Sequence, residues 1–193
     1  MGRTGNLTPV AILEPVELNG TTVSRASLHN YDQVDRLDLH HGDYVTLEKG
    51  GEIIPKIVTV DPTLRSKNAQ KIKPPSKCPS CGSPALHSKG DVEWRCPNKN
   101  CTAQQTEQIL HFVSRRAMDI DTIGPALIEQ LIDKHLLKNA ADLYLLNHDD
   151  LSGLDRMGDK SADNVVSGID KSRKCSLSRF VHALGITLSL IHI

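Results

Sequence analysis

Four cysteines within 24 positions constrain this chain more than any other feature. Cys78 and Cys81 form a C-x2-C pair, and after fourteen intervening residues Cys96 and Cys101 form a C-x4-C pair. Such a cluster is typical of a disulfide framework, a redox pair or a metal site. Two close pairs presented by two tight turns can place four thiolates around one tetrahedral zinc ion.

The two rival interpretations of the cysteines fit the rest of the sequence less well. A redox C-x-x-C pair normally begins a helix inside an α/β pattern, and no such pattern surrounds Cys78. Disulfides require an oxidising compartment, but the N-terminus MGRTGNLTPV has no apolar signal-peptide core. We therefore predict a cytoplasmic chain with one structural zinc ion, because four thiolates leave no open position for a catalytic water.

Composition limits how this chain could bind nucleic acid. The 23 basic and 23 acidic residues cancel, and aromatic residues make up only 3% of the chain. A strongly basic chain would indicate a polyanionic partner, and binding by base stacking needs aromatic side chains. Any contact with DNA must then come from locally placed charges and from backbone donors.

The first third of the chain has the pattern of short β-strands. Apolar or alternating runs bounded by turn residues predict strands, and one short helical patch lies among them. The predicted strands cover residues 7–18, 21–27, 43–49 and 53–60, and the helical patch covers residues 31–37. This pattern favours a small OB-type barrel, with a generic β-domain of the same size as the alternative.

The last third contains an internal repeat with helical periodicity. At an offset of 34 positions Ile120 matches Leu154, and Gly124 matches Gly158. Each copy predicts a helix, a short connection containing a hydrophobic residue and a glycine, and a second helix. If the glycine permits a tight turn, N–H groups at the start of the second helix can bind a phosphate, with Lys160 nearby. The alternative is an ordinary helical bundle in which both glycines are C-caps.

Taken together, these motifs resemble the C-terminal part of bacterial NAD-dependent DNA ligases. The matching stretches are GRTG at 2–5, LTPVA at 7–11, LHN at 28–30, GD at 42–43, GEIIP at 51–55, the four cysteines, HFVSRRAMD at 111–119 and RMGDKSA at 156–162. The resemblance extends from residue 2 to about residue 186.

The resemblance implies a multi-domain α+β architecture. Residues 1–74 would form an OB-fold domain with a truncated first strand, and residues 75–103 a tetracysteine zinc finger. Residues 104–193 would form a helix–hairpin–helix domain with two complete units and a broken third one. Residues 187–193 depart from the family pattern, so we expect an atypical tail on a fragment of a longer enzyme.

The resemblance also implies the function of a DNA clamp within a ligase that seals nicks during replication and repair. Its partners would be nicked double-stranded DNA and a nucleotidyltransferase domain that precedes this part, in a monomeric, nucleoid-associated bacterial protein. NAD and Mg²⁺ are implied for the full-length enzyme but would not bind to this chain. The adenylated lysine of the family lies in a K-x-D-G motif, which is absent here, so we expect the chain alone to be inactive and to contribute no catalytic residue.

Several residues are candidates for DNA contacts. Arg3, Thr4 and Lys49 match positions that touch the DNA backbone in the family, and Ile53 and Ile54 match positions that face the minor groove, although ordinary barrel core is an equally open interpretation for these two. The remaining candidates, Arg115 and Arg116 on a predicted helix and the repeat residues Gly124, Gly158 and Lys160, complete the set.

Two other functions are compatible with parts of the sequence. A stand-alone, non-enzymatic adaptor for duplex DNA would need the hairpins and the zinc site but not the GRTG and IIP stretches. A zinc-ribbon protein of translation or transcription would not need the paired hairpins. The complete set of motifs therefore favours the ligase.

Overall fold

The computed structural model describes residues 1–18, 20–50, 54–88 and 90–186. The chain divides into two compact units. The first contains Met1 and Gly5–Asn98, and the second contains Gly2–Thr4 and the residues from Lys99 onward. Among the described residues, no helix is both long enough and apolar enough to cross a membrane.

The first unit contains a four-stranded sheet. Its strands are β1 (Val10–Leu18), β2 (Thr21–Ser27), β3 (Tyr44–Gly50) and β4 (Ile54–Asp61), and helix α1 (Tyr31–Arg36) lies between β2 and β3 in the chain. The strand order is β1-β2-β4-β3, with antiparallel β1–β2 and β3–β4 pairs and a parallel contact between Ser27 of β2 and Lys56 of β4. A short 3₁₀ helix, Pro62–Leu64, follows β4.

The sheet and α1 enclose a small apolar core. Its buried members are Ala26, Leu28, Val34, Leu39 and Ile57. Asn30 caps α1, because its side chain accepts a hydrogen bond from the backbone N–H of Gln33 at 2.9 Å. The predicted strands and helical patch are therefore present, and the turn at Asn19 lies outside the described residues.

The first strand begins later than predicted, at Val10 instead of Leu7. The preceding residues pair elsewhere: the N–H of Leu7 donates to the carbonyl of Trp94 at 2.7 Å, and the N–H of Cys96 donates to the carbonyl of Gly5 at 2.9 Å. Residues 5–7 thus extend the short hairpin of β5 (Leu86–His87) and β6 (Trp94–Arg95) instead of β1. The sequence shows a single apolar run at residues 7–18. It does not reveal that Leu7 pairs with Trp94 whereas the residues from Val10 onward pair with β2.

The second unit is helical. Its helices are α2 (Thr102–Val113), α3 (Pro125–Asp133), α4 (His148–Ser152), α5 (Asp159–Ser172) and α6 (Leu177–Ala183), with a 3₁₀ helix at Ala140–Leu145. They share one apolar core, in which Ile120, Ile128, Leu131, Leu143 and Leu151 are completely buried. Helical periodicity predicts the core positions of α2 and α3, because side chains three and four positions apart face the same side of a helix.

Two details of the helical unit do not follow from periodicity alone. Ala117 is buried but does not lie on α2, which ends at Val113; the chain then turns, and the N–H of Ile120 donates to the carbonyl of Val113 at 2.9 Å. Leu145 is apolar but 78% exposed. Leu143 and Leu145 are two positions apart on a 3₁₀ helix with three residues per turn, so their side chains point about 120° apart and only Leu143 is buried.

Candidate metal centre and nucleic-acid interface

The four clustered cysteines bring their sulfur atoms together. The Sγ atoms of Cys78, Cys81, Cys96 and Cys101 all lie within 4.8 Å of one another, and the Cys81 and Cys96 sulfurs are 3.5 Å apart. Zinc–sulfur bonds of about 2.3 Å in a tetrahedron place the sulfurs about 3.8 Å apart. The cluster therefore fits one zinc ion held by four thiolates.

Backbone turns present the first cysteine pair. The N–H of Cys78 donates to the carbonyl of Ser83 at 2.8 Å, and the N–H of Gly82 donates to the carbonyl of Cys78 at 3.0 Å. Gly82 has a φ of 71°, a left-handed conformation that glycine adopts without steric cost. The glycine after the C-x2-C pair thus lets both sulfurs point to the same side.

The surroundings of the sulfurs shift their pKa values in opposite directions. The hydroxyl of Ser83 lies 3.3 Å from the Cys81 sulfur and stabilises its thiolate, which lowers the pKa of the Cys81 thiol to about 6. Burial raises the pKa of the Cys96 thiol, because an isolated thiolate is poorly solvated there. A bound zinc ion would hold all four sulfurs as thiolates and would compensate the burial of their charge. Ser83 was not foreseen as part of the site, although a hydroxyl two positions after Cys81 was a visible signal.

The two copies of the helical repeat make equivalent hydrogen bonds. In the first copy the N–H of Ile123 donates to the carbonyl of Ile120 at 3.2 Å, and in the second the N–H of Met157 donates to the carbonyl of Leu154, also at 3.2 Å. Each connection then enters a helix at a glycine, Gly124 for α3 and Gly158 for α5. The sequence offset of 34 residues thus corresponds to a repeated local structure.

Both glycines are N-caps, which excludes the alternative of two C-caps. Neither helix start has a side-chain cap, whereas side chains cap the 3₁₀ helix, α4 and α6, at Asn139, Asn147 and Ser176 respectively. First-turn N–H groups of α3 and α5 therefore remain for another acceptor.

The glycines are not needed for the turn itself. Their φ values, −104° for Gly124 and −87° for Gly158, are open to any residue, which corrects the expectation that a tight turn requires them. A Cβ at either position would meet nothing within 4 Å. Because glycine has no side chain, the space in front of the N-termini of α3 and α5 is open.

Parts of this chain match known protein families. Residues 1–69 match the family model described as the NAD-dependent DNA ligase OB-fold domain, and residues 77–103 match that of the NAD-dependent DNA ligase C4 zinc finger domain. The chain therefore carries two domains of NAD-dependent DNA ligases, the OB-fold domain and the C4 zinc finger. The structural zinc site and the OB-fold predicted from the sequence agree with these matches.

Curated relatives show the same similarity over more of the chain. The chain is 50% identical over 187 residues to the DNA ligase of Prosthecochloris aestuarii, 52% over 186 residues to that of Methylacidiphilum infernorum, and 51% over 186 residues to that of Limosilactobacillus reuteri. Each alignment covers 96% of this chain but only 27–28% of the relative. The chain thus spans a little over a quarter of the length of these ligases.

The predicted DNA contacts of the OB-fold part lie in different settings. Thr4 is exposed, whereas Arg3 is half-buried and its guanidinium faces Gly185, where a Cβ would come within 2.7 Å of Nη1. Lys49 lies in β3 and Ile54 in β4, but their side chains lie outside the described part of the structure, as does residue Ile53 entirely. Their contacts with DNA remain predictions.

The candidate residues of the helical part are all accessible. Gly124, Gly158 and Lys160 are exposed, and Lys160 lies in the first turn of α5. Arg115 and Arg116 are also exposed, but they lie in the turn after α2 and not on a helix as predicted. The helix ends at Val113 because the turn's N–H groups fold back onto its last carbonyls. Both side chains therefore project from a loop.

Proposed function

We propose that this chain is the DNA-gripping part of an NAD-dependent DNA ligase that seals nicks in duplex DNA during replication and repair. The observation that carries the proposal is the pair of equivalent hairpins, each leading to an uncapped helix start behind an exposed glycine, in a chain that carries two domains of NAD-dependent DNA ligases. Helix starts of this kind bind phosphate without reading a base, as a sealing enzyme that acts on any sequence requires.

In this proposal the parts of the chain divide the work. Residues 1–74 form the OB-fold domain, residues 75–103 the zinc finger, and residues 104–193 the helix–hairpin–helix domain; the tail 187–193 lies outside the described residues. The ligase as a whole would use NAD and Mg²⁺ and a nucleotidyltransferase domain that carries the adenylated lysine. It would act as a monomer on nucleoid DNA in the bacterial cytoplasm.

Each DNA-facing residue has a physical role in the proposal. The first-turn N–H groups at the positive dipole ends of α3 and α5 donate hydrogen bonds to phosphates near Gly124 and Gly158, and Lys160 adds a cation beside the second of these sites. Asp159 on the same turn opposes the contact, so we expect this second hairpin to bind phosphate more weakly than its helix start alone would. Arg3, Thr4, Lys49, Arg115 and Arg116 would hold other phosphates, and Ile53 and Ile54 would pack in the minor groove.

The zinc ion would be structural in this function. Its four cysteines leave no open position for water or substrate, so the metal would supply rigidity and no chemistry. The chain contains no K-x-D-G motif, and we expect it to bind nicked duplex without sealing it.

Binding to duplex DNA tests the proposal. We expect sequence-independent binding of a labelled nicked duplex in fluorescence anisotropy, with an affinity that falls steeply between about 50 and 200 mM salt because the contacts go to phosphates. An affinity that does not change with salt, or that depends on the base sequence, would contradict it. The same assay compares nicked with intact duplex.

A glycine substitution tests the hairpins directly. Gly158→Val leaves the fold intact, since the backbone angles are permissive and the space is open, but it obstructs a phosphate. We expect the Kd for duplex to rise about tenfold, in line with the loss of one hydrogen bond to a charged group. Gly153→Val is the matched control, because Gly153 is an exposed glycine at the C-cap of α4 with an ordinary φ of −82°. Equal weakening by both variants would exclude a specific phosphate site at Gly158.

Lys160→Ala separates the charge from the backbone contact. Loss of one cation near a phosphate lowers the slope of log affinity against log salt by about one. An unchanged slope would show that Lys160 stays in solvent.

A further inference from the structure

The turn that joins α2 to the first hairpin carries two exposed arginines. Residues 114–120 form this turn, and Arg115 and Arg116 project from it into solvent. Neither side chain forms an ion pair with any residue that the structure describes. A loop that presents two cations needs a defined backbone if both are to meet phosphates at fixed positions.

One side of the turn is fixed by the apolar core and by the end of α2. Met118 and Ala117 are buried, and the N–H groups of Met118 and Asp119 donate to the carbonyls of Phe112 and Ser114 at 2.9 and 3.0 Å. Asp119 has a φ of 60°, a left-handed conformation that is unusual for a residue other than glycine. Surrounding contacts must hold such a residue in place.

The other side of the turn is held by a single side chain from α6. The guanidinium of Arg179 donates through Nε to the carbonyl of Ala117 and through Nη2 to the carbonyl of Arg115. The same Nη2 lies 3.5 Å from a carboxylate oxygen of Asp119. One planar group therefore contacts three residues of the turn: Arg115, Ala117 and Asp119.

We propose that Arg179 is a positioning residue for DNA binding, whose guanidinium orders the turn so that Arg115 and Arg116 are presented together. The inference rests on the proposed function, since Arg115 and Arg116 are assigned to phosphates there. Arg179 itself is 62 to 64 positions away from the carbonyls that it holds. No local pattern in the sequence points to it.

The chemistry of the side chain makes the proposal specific. A guanidinium presents donors in a rigid fork, whereas a lysine ammonium is one compact charge on a flexible stem. Arg179→Lys keeps the net charge and the helix propensity of α6 but cannot reach two carbonyls and a carboxylate in the same fixed geometry. Any loss of DNA affinity in this variant therefore does not come from lost charge.

The chain provides a matched control. Arg173, at the C-cap of α5, also donates to a backbone carbonyl, that of Tyr144 at 3.0 Å, and to a carboxylate, that of Asp170 at 3.0 Å. These contacts do not involve the turn. Arg173→Lys therefore removes the same type of fork elsewhere on the same helical unit.

The experiment combines amide exchange with DNA binding on the zinc-loaded chain. In Arg179→Lys we expect faster hydrogen exchange at the amides of Met118, Asp119 and Ile120, and a Kd for duplex DNA about three- to tenfold higher. The Arg173→Lys control should change neither. If the thermal midpoint changes equally in the two variants, amide exchange of the turn and DNA affinity are the only properties that distinguish them. That is the result expected of a positioning residue.

A double-variant background distinguishes positioning from direct contact. When Arg115→Ala and Arg116→Ala are both present, Arg179→Lys should no longer weaken DNA binding, because nothing remains to be positioned. An undiminished effect in that background, or unchanged exchange of the turn in the single variant, would overturn the proposal. If the wild-type chain does not bind duplex at all, the proposed function fails and the DNA part of this inference with it, while the exchange experiment still decides whether Arg179 orders the turn.

Discussion

The cysteine segment, residues 78–101, and the helical segment, residues 102–186, are held together by different forces. In the described part of the cysteine segment, three cysteines are the only buried hydrophobic residues. The larger apolar side chains Leu86 and Val92 are 54% and 47% exposed. The helical segment buries eighteen residues in one continuous cluster. One segment thus depends on a metal ion and the other on apolar packing.

The difference follows from size. A segment of about 25 residues cannot remove enough apolar surface from water to offset the entropy of ordering its backbone. Four thiolates on one zinc ion supply that free energy instead, since a preformed site does not exist in the unfolded chain. The helical segment is long enough to bury a core, and its stability should be independent of metal.

Removal of one cysteine should have the largest effect. We expect Cys96→Ser to abolish zinc binding and to unfold the cysteine segment, because structural zinc contributes about 10–16 kcal/mol of apparent binding free energy at neutral pH. Zinc content by atomic absorption and amide exchange across residues 78–101 measure the two effects. The helical circular dichroism signal should largely remain.

The matched control for this change is Cys175→Ser. Cys175 is a thiol outside the cluster, 3.8 Å from the sulfur of Met118. The Cys175→Ser variant should still bind one zinc ion per chain. A loss of helix in Cys96→Ser as large as the loss of the cysteine segment would show that the two segments do not have separate sources of stability.

A cavity in the helical core should give the converse result. Ile128→Ala removes a side chain that is completely buried, and such changes cost about 2–5 kcal/mol of unfolding free energy. We expect a lower midpoint in urea for the helical signal, with zinc content unchanged. Leu145→Ala, at a side chain 78% exposed, is the control and should cost less than about 0.5 kcal/mol.

The same contrast explains how much the sequence could predict. Cysteine spacing and helical periodicity are local signals, so the zinc site, the core of α3 and the caps Asn139 and Ser176 could be predicted from nearby residues. The repeat located both hairpins, but their glycines were assigned a steric role that the φ values exclude.

What could not be predicted depends on distant partners. Leu7 pairs with Trp94 across 87 positions, and Arg179 reaches Ala117 across 62. Neither contact leaves a periodic or compositional trace, because a backbone carbonyl accepts a hydrogen bond whatever its side chain is. The end of α2 was missed for a related reason: HFVSRRA continues the helical pattern, and only the backbone bonds of the turn end the helix at Val113.

The strand formed by residues 5–7 tests how far from the metal site the stabilising effect of zinc extends. Because the N–H of Leu7 donates to Trp94 and the N–H of Cys96 donates to Gly5, this strand should be ordered only while the cysteine segment is folded. We expect zinc chelation to accelerate exchange of the Leu7 amide by at least tenfold. The amide of Ile72, which donates to the carbonyl of Leu39 at 3.1 Å, serves as an internal control and should be unaffected. Protection of Leu7 that survives chelation would show that the strand is held by other contacts.

The smallest effect is expected from Ser83→Ala, which keeps all four ligands. The Ser83 hydroxyl stabilises the Cys81 thiolate and lowers the pKa of that thiol to about 6, from an ordinary value near 9.0. Without the hydroxyl the pKa rises, although the backbone N–H of Ser83 still contributes, and protons then compete with zinc over more of the range between pH 6 and 9. Chelator competition at pH 7 should show zinc affinity about tenfold weaker, corresponding to one pKa unit. Above pH 9 the Cys81 thiol is ionised in both proteins and the difference should vanish, whereas a difference that persists there would indicate a distorted site instead of a shifted pKa. Ser80→Ala, at an exposed serine of the same turn, should leave the zinc affinity unchanged both at pH 7 and above pH 9.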